Sequence, residues 1–150
     1  MSHSLAKVHI HLVFSTKQRD PVLHDEVRGS LHRYIAGVIR LSGCIPVRAN
    51  SVEDHVHILF ELGRTVALSS VVEDIKTTSS KWLKTQGEEF KGFRWQTGYG
   101  AFAVSASKVD ECIQYIEYQR EHHRNHTFVG EYRAMLEAHD IPFDEKYLWD

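Results

Sequence analysis

From Val8 to Phe14 the chain alternates: Val8, Ile10, Leu12 and Phe14 fall on one face and His9, His11 and Val13 on the other, the period of a strand. Asp25 opens a segment in which Val27, Leu31, Tyr34, Ile35 and Val38 recur at helical spacing, and Ser42-Gly43 supplies its stop signal. Ile45, Val47 and Ala49 alternate again before a turn at Asn50 to Asp54, and the run His55-Val56-His57-Ile58-Leu59-Phe60 completes an expected strand pair. Leu68, Val71, Val72, Ile75, Trp82 and Leu83 mark a second amphipathic helix, and a Gly- and charge-rich loop separates it from a fourth strand at Gly98 to Val104. The order β-α-β-β-α-β predicts an α+β, ferredoxin-like antiparallel sheet with helices on one face, the split βαβ plan that RNA-recognition modules also use. A further helix is expected from a cap near Ser107 to about Asn125, with Val109, Cys112, Ile113 and Ile116 as its apolar stripe.

Within this pattern His55 and His57 stand out. Residues i and i+2 of a strand share a face, so both imidazoles project from one side while Val56, Ile58 and Phe60 face the core. Two neutral ring nitrogens on a rigid surface hold a divalent cation when a third ligand arrives from elsewhere. On the late helix, Tyr115 and Gln119 lie four residues apart and share a face, on the flank of the apolar stripe. Tyr118 falls nearly opposite that stripe and is expected in solvent, so the helical wheel favours Tyr115 as a functional tyrosine.

The bulk properties set the frame for that chemistry. A chain of 150 residues, 42% hydrophobic and 25% charged, is an ordinary globule of one domain. Cys44 and Cys112 have neither metal nor disulfide spacing, which suits free thiols in a reducing compartment. No apolar run approaches a membrane span and the first residues lack a signal peptide's apolar core, so the expected location is cytoplasmic. The net charge is −2, but residues 131–150 hold six acids against Arg133 and Lys146, which leaves sixteen basic and fourteen acidic residues in 1–130. The expected organisation is therefore one domain over 1–130 with an acidic C-terminal extension at 131–150, packed on its surface or reaching a partner.

Four motifs in order carry a resemblance: His11-Leu12-Val13-Phe14-Ser15-Thr16-Lys17, the His55/His57 pair, Trp95-Gln96-Thr97-Gly98-Tyr99-Gly100, and Tyr115-Ile116-Glu117-Tyr118-Gln119. Together, over roughly residues 5–130, the chain resembles the single-tyrosine HUH transposases of small bacterial insertion sequences. The resemblance implies that His55, His57 and Gln119 are ligands of Mg²⁺ or Mn²⁺ and that Tyr115 is the nucleophile. It implies cleavage and rejoining of single-stranded DNA at hairpin-marked element ends through a 5′-phosphotyrosine, by a homodimer whose tyrosine helices can serve either subunit. All three implied ligands are neutral, which leaves the cation's charge available to a phosphate. Exchange of a phosphodiester for a phosphotyrosine ester conserves the linkage, and the chain has no P-loop motif for a nucleotide cofactor.

Other residues admit two readings. Lys17 and Arg19 after the first strand, Lys76, Lys81 and Lys84 on the second helix, and Arg94 beside Trp95 interleave cations with an aromatic, a composition suited to unpaired DNA; Trp95 divides evenly between base contact and core. Asp54 and Glu61 flank the histidine motif as orienting groups or as turn and strand-end residues. His9 and His11 are read first as locally bonded, partly buried histidines and second as lining the metal cleft. Arg120, His122, His123, Arg124 and His126 form a solvated helix end or approach the DNA backbone. Competing functions are a replication-initiator or relaxase-like nuclease, a domesticated nuclease that processes repeated hairpins, and a non-catalytic RNA-recognition-like module whose histidines are structural.

Overall fold

Extended segments at Val8–Ser15 (β1), Ile45–Ser51 (β2), His55–Leu62 (β3) and Gly100–Val104 (β4) assemble into a four-stranded sheet in the order β2-β3-β1-β4. All three pairings are antiparallel, and the ferredoxin-like plan follows. This computed structural model describes residues 3–121 and 127–148. Pro46 has no N–H to give a ladder, and it sits on the edge strand β2 beside a register shift between Pro46 and Arg48.

The apolar phase of each strand decides which face is core. Ile10, Leu12 and Phe14 of β1 lie with Val56, Ile58 and Phe60 of β3 under two helices, Asp25–Leu41 (α1) and Leu68–Leu83 (α2). Helix α1 contributes Val27, Leu31, Ile35 and Ile39, and α2 contributes Val71, Val72, Ile75 and Leu83. Full burial of each such side chain is worth about 1.5–3 kcal/mol, so this layer is the main source of stability. Helix α1 stops where the sequence signals: Gly43 takes φ +84°, and the N–H groups of Ser42, Gly43 and Cys44 close on the carbonyls of Val38, Arg40 and Ile39.

The opposite phase, His11, Val13 and Ser15 on β1 with His55 and His57 on β3, is also covered. Here the structure departs from a single long helix. A 3₁₀ turn at Ala106–Lys108 leads into Val109–Glu117 (α3), which ends at Tyr118. The break has an identifiable cause on β2: Asn50 Nδ2 donates to the carbonyls of Ile116 (2.8 Å) and Glu117 (3.3 Å), and Arg48 pairs with Glu117 at 2.9 Å. These contacts take carbonyls at the end of α3. Residues 119–121 are helical again, and the remainder of the predicted helix, with His122, His123, Arg124 and His126, lies outside the described residues.

The C-terminal segment packs against the sheet. Thr127 Oγ1 accepts from Gly130 N to cap a helix at Phe128–Ala138 (α4). Its stripe Phe128, Tyr132 and Leu136 packs on Val13 and Phe102 as a second, smaller core. Gly100 permits this approach, since a Cβ there would lie 2.6 Å from the Tyr132 ring. The α4 helix spans position 130, the expected start of the acidic extension. No described helix is long and apolar enough to cross a membrane.

Candidate active site

β3 presents His55 and His57 side by side, 1% and 0% exposed, on the face covered by α3 and α4. Each ring is held at its Nδ1. His55 Nδ1 donates to Asp54 Oδ1 at 2.7 Å, so of the two flanking acids weighed in the sequence, Asp54 takes the orienting position. His57 Nδ1 lies 2.8 Å from His11 Nε2, a diagonal contact set by the register Val13↔His57 and His11↔Leu59. Phe128 stacks on the His55 ring with centroids 3.8 Å apart and planes 12° apart. The cleft reading of His11 is therefore the one realised.

With their Nδ1 atoms engaged, the two Nε2 atoms face a third group that sequence reasoning missed. Glu131 of α4 places Oε1 3.0 Å from His57 Nε2 and 3.8 Å from His55 Nε2. Ligand atoms of His55, His57 and Glu131 all lie within 4.8 Å of one another, and all three residues are buried. Two imidazoles and a carboxylate, already oriented by groups behind them, fit a divalent cation by donor chemistry. The sequence signal for Glu131 is weak: it lies one turn after Phe128, on the flank of the stripe Phe128-Tyr132-Leu136, among the acids of the tail.

Tyr115, half-buried on α3, donates its hydroxyl to Glu131 Oε2. Its ring meets those of His11 and His57 edge-on, with centroids 6.0 and 5.7 Å apart. Burial, then the Glu131 charge and hydrogen bond, push the phenol well above its ordinary range, while a hydrogen bond from the Gln119 side chain acts in the opposite direction. Gln119 is fully buried and also donates to the Tyr115 carbonyl at 3.0 Å. Tyr118 is 59% exposed, as the wheel predicts. Burial, followed by the neighbouring His57, pushes His11 down to about 3, which keeps it neutral at neutral pH. Beside this cluster a groove of about 450 Å³ is lined by His11, Phe102, Lys108, Cys112, Tyr115 and His139.

The expected DNA-contact residues separate by environment. Lys17, Arg19 and Arg94 line one cavity of about 530 Å³ after β1, joined by Lys17 N donating to Arg94 O. Lys81 and Lys84 are exposed at the end of α2. Lys76 instead braces the loop before β4: its ammonium donates to the carbonyls of Gln96 and Gly98 at 2.7 and 2.6 Å, and burial lowers it to about 8. Trp95 is 7% exposed, donates to Ser79 Oγ at 3.0 Å and packs edge-on against Phe14 and Phe93, so it belongs to the core. Gln96 completes the brace, accepting from Ser15 N and donating to Leu148 O. Arg120 pairs with Asp25 at 2.8 Å.

The fold and site thus define a ferredoxin-like domain in which a strand-borne histidine pair meets a helical tyrosine across a shared carboxylate. Residues 4–119 match the family model described as IS200-like transposase, and the chain belongs to that family of DNA-cleaving enzymes. It is 25% identical to the ISDra2 transposase TnpA of Deinococcus radiodurans over 116 residues, 74% of this chain and 83% of that protein. A crystal structure of a transposase from Deinococcus radiodurans R1 superposes with a TM-score of 0.63 at 25% identity, covering 79% of this chain and 95% of that one. A REP-associated tyrosine transposase bound to a REP hairpin shares the fold, with a TM-score of 0.60 at 17% identity over 82% and 74% of the two chains. The family match stops short of α4, so Glu131 lies beyond it.

Proposed function

We propose that this transposase cleaves and rejoins single-stranded DNA at hairpin-marked ends, with Tyr115 as nucleophile and Mg²⁺ or Mn²⁺ held by His55 and His57. The observation that carries this reading is the cluster around Glu131, which accepts from Tyr115, lies 3.0 Å from His57 Nε2 and faces His55 Nε2 at 3.8 Å. Glu131 Oε1 would supply the third ligand atom in this arrangement, and Gln119, which the resemblance gives as a ligand, donates to Tyr115. When bound, the cation supplies Lewis-acid polarisation of the scissile phosphate.

The side chains account for the remaining steps. Tyr115 Oη forms a bond to phosphorus as the bond to the 3′ oxygen breaks, giving a 5′-phosphotyrosine and a free 3′-hydroxyl. The phenolic proton has an acceptor in Glu131 Oε2. The leaving 3′ oxygen takes up a proton, and reversal of the step rejoins a strand. The homodimer follows the same resemblance, and a neighbour of this fold bound to a REP hairpin supports hairpin substrates. Processing of repeated hairpins by a domesticated nuclease would use the same chemistry.

The test is incubation with hairpin single-stranded DNA and Mn²⁺, followed by a denaturing gel for a covalent adduct. Tyr115→Phe is expected to abolish the adduct and keep binding, Tyr118→Phe to keep both, and His55→Ala or His57→Ala to remove cleavage. An adduct that survives in Tyr115→Phe and vanishes in Tyr118→Phe overturns the tyrosine assignment. Undiminished cleavage in EDTA overturns the metal.

A further inference from the structure

The groove of about 450 Å³ beside Tyr115 is walled by two helix faces that both begin at the reacting hydroxyl. On one side Cys112 and Lys108 precede Tyr115 by three and seven residues, which places them on one face of α3 and the turn leading into it. On the other side Met135 and His139 follow Glu131 by four and eight residues, along one face of α4 and its C-terminal cap. Tyr115 donates to Glu131 where the two walls meet, so the groove runs outward from that contact for about two helical turns, or about 10 Å. Phe102 of β4 is its floor. The His139 ring lies over Phe102 with centroids 4.7 Å apart, and it stays exposed while Phe102 beneath it is buried. The α4 wall lies outside the matched residues 4–119.

Each part of this lining suits one part of a nucleotide. The imidazole face of His139 offers a stacking surface to an unpaired base, and the Met135 thioether and Cys112 thiol are soft, polarisable neighbours for it. Lys108 stands at the mouth. Its pairing with Glu111, at 3.3 Å between two exposed side chains, is of the kind that contributes little, so the ammonium can exchange that partner for a phosphate. Attack by Tyr115 leaves the nucleotide on the 3′ side of the break joined to the tyrosine through its 5′ phosphate, and that nucleotide has to be held until a strand is rejoined. We infer that the groove is the seat of this nucleotide, with its base against His139 and Met135 and its following phosphate at Lys108. The inference rests on Tyr115 as the nucleophile proposed above. Because stacking tolerates any base, the seat holds the nucleotide without reading its identity.

The adduct gel first maps the broken bond on hairpin DNA, and two binding readouts in EDTA then test the seat. A thiol tethered to the base on the 3′ side of that bond is expected to form a disulfide with Cys112 that Cys112→Ser removes, while the same tether on the 5′ side or remote from the bond gives none. In fluorescence anisotropy, an abasic site at the 3′-side position is expected to weaken binding by about 5–100-fold. His139→Ala is expected to weaken the intact DNA similarly and the abasic DNA hardly further, whereas a merely structural histidine would weaken both alike. Cross-linking and the abasic comparison use the parent protein, so neither depends on a variant that folds. A disulfide formed in preference from the 5′ side, or losses from His139→Ala and the abasic site that add in full, overturns the inference. An adduct at Tyr115 with no Cys112 cross-link and no loss on abasic DNA overturns the seat and leaves the tyrosine chemistry standing. A parent protein that forms no adduct overturns both.

Discussion

At the scale of single residues, Glu131 has the largest chemical leverage. It is a buried acid that accepts from Tyr115 at one oxygen and faces both histidines with the other. A buried carboxylate survives only when its oxygens are partnered, and here the partners are the groups of the candidate reaction. The same contacts raise the pKa of the phenol, after burial itself, through charge and hydrogen bonding. Glu131→Gln removes the charge and keeps the shape, so Tyr115 is expected to ionise at a lower pH than in the parent. Difference absorbance of tyrosinate near 295 nm, with Tyr115→Phe subtracted to assign the signal, measures this; an unmoved titration contradicts it. The stability term has a definite sign. The folded phenol holds its proton above the pH of about 10 at which an unfolded tyrosine releases it, so this contribution is complete below about pH 10 and declines above it.

At the scale of elements, the tyrosine is placed by the strand next to the histidines. Asn50 pairs in register with His57, and its side chain takes the carbonyls that end α3, so one β2–β3 pairing aligns the histidine ring and the C-terminal end of the tyrosine helix. Asn50→Ala is expected to cost about 1 kcal/mol of stability, the scale of one net hydrogen bond, measured by urea unfolding. Its effect on adduct formation is expected to be larger, at least tenfold, because a shift of about 1 Å in a reacting group costs that much or more. Equal losses in both assays would mean that Asn50 serves only the fold. These elements were unevenly legible. The strands and α1 and α2 follow from alternation and helical periodicity, signals carried within each segment. The break at Tyr118 comes from Asn50 and Arg48, nearly seventy residues upstream, and helical spacing within α3 carries no trace of it. His55, His57 and Tyr115 were legible from local phase, whereas Glu131 depended on α4 crossing the sheet, which the acidity of the tail concealed.

At the scale of the whole molecule, a chain of net charge −2 must bind a polyanion through a local surface. Part of its charge is already spent internally: Arg120 and Arg28 meet Asp25, Arg48 meets Glu117, and Arg133 meets Glu145 at 2.6 Å. Lys76 is likewise engaged with loop carbonyls. Lys17, Arg19 and Arg94 gather around one cavity, and the inward Trp95 anchors the strand end that carries them through the Thr16–Trp95 bridge. This arrangement predicts a division among the variants. Lys17→Gln and Arg94→Gln are each expected to lower the slope of log K against log salt for hairpin DNA by about 0.7–0.9, the value of one phosphate contact, without altering thermal stability. Lys76→Met and Trp95→Leu are expected to lower stability, by about 1–4 kcal/mol, and to leave the slope unchanged in the folded fraction. Fluorescence anisotropy with a labelled hairpin over a salt series reads the first effect, and thermal melting the second. If Lys81→Gln and Lys84→Gln flatten the slope while Lys17→Gln and Arg94→Gln do not, the DNA runs over the end of α2 instead of the cavity after β1.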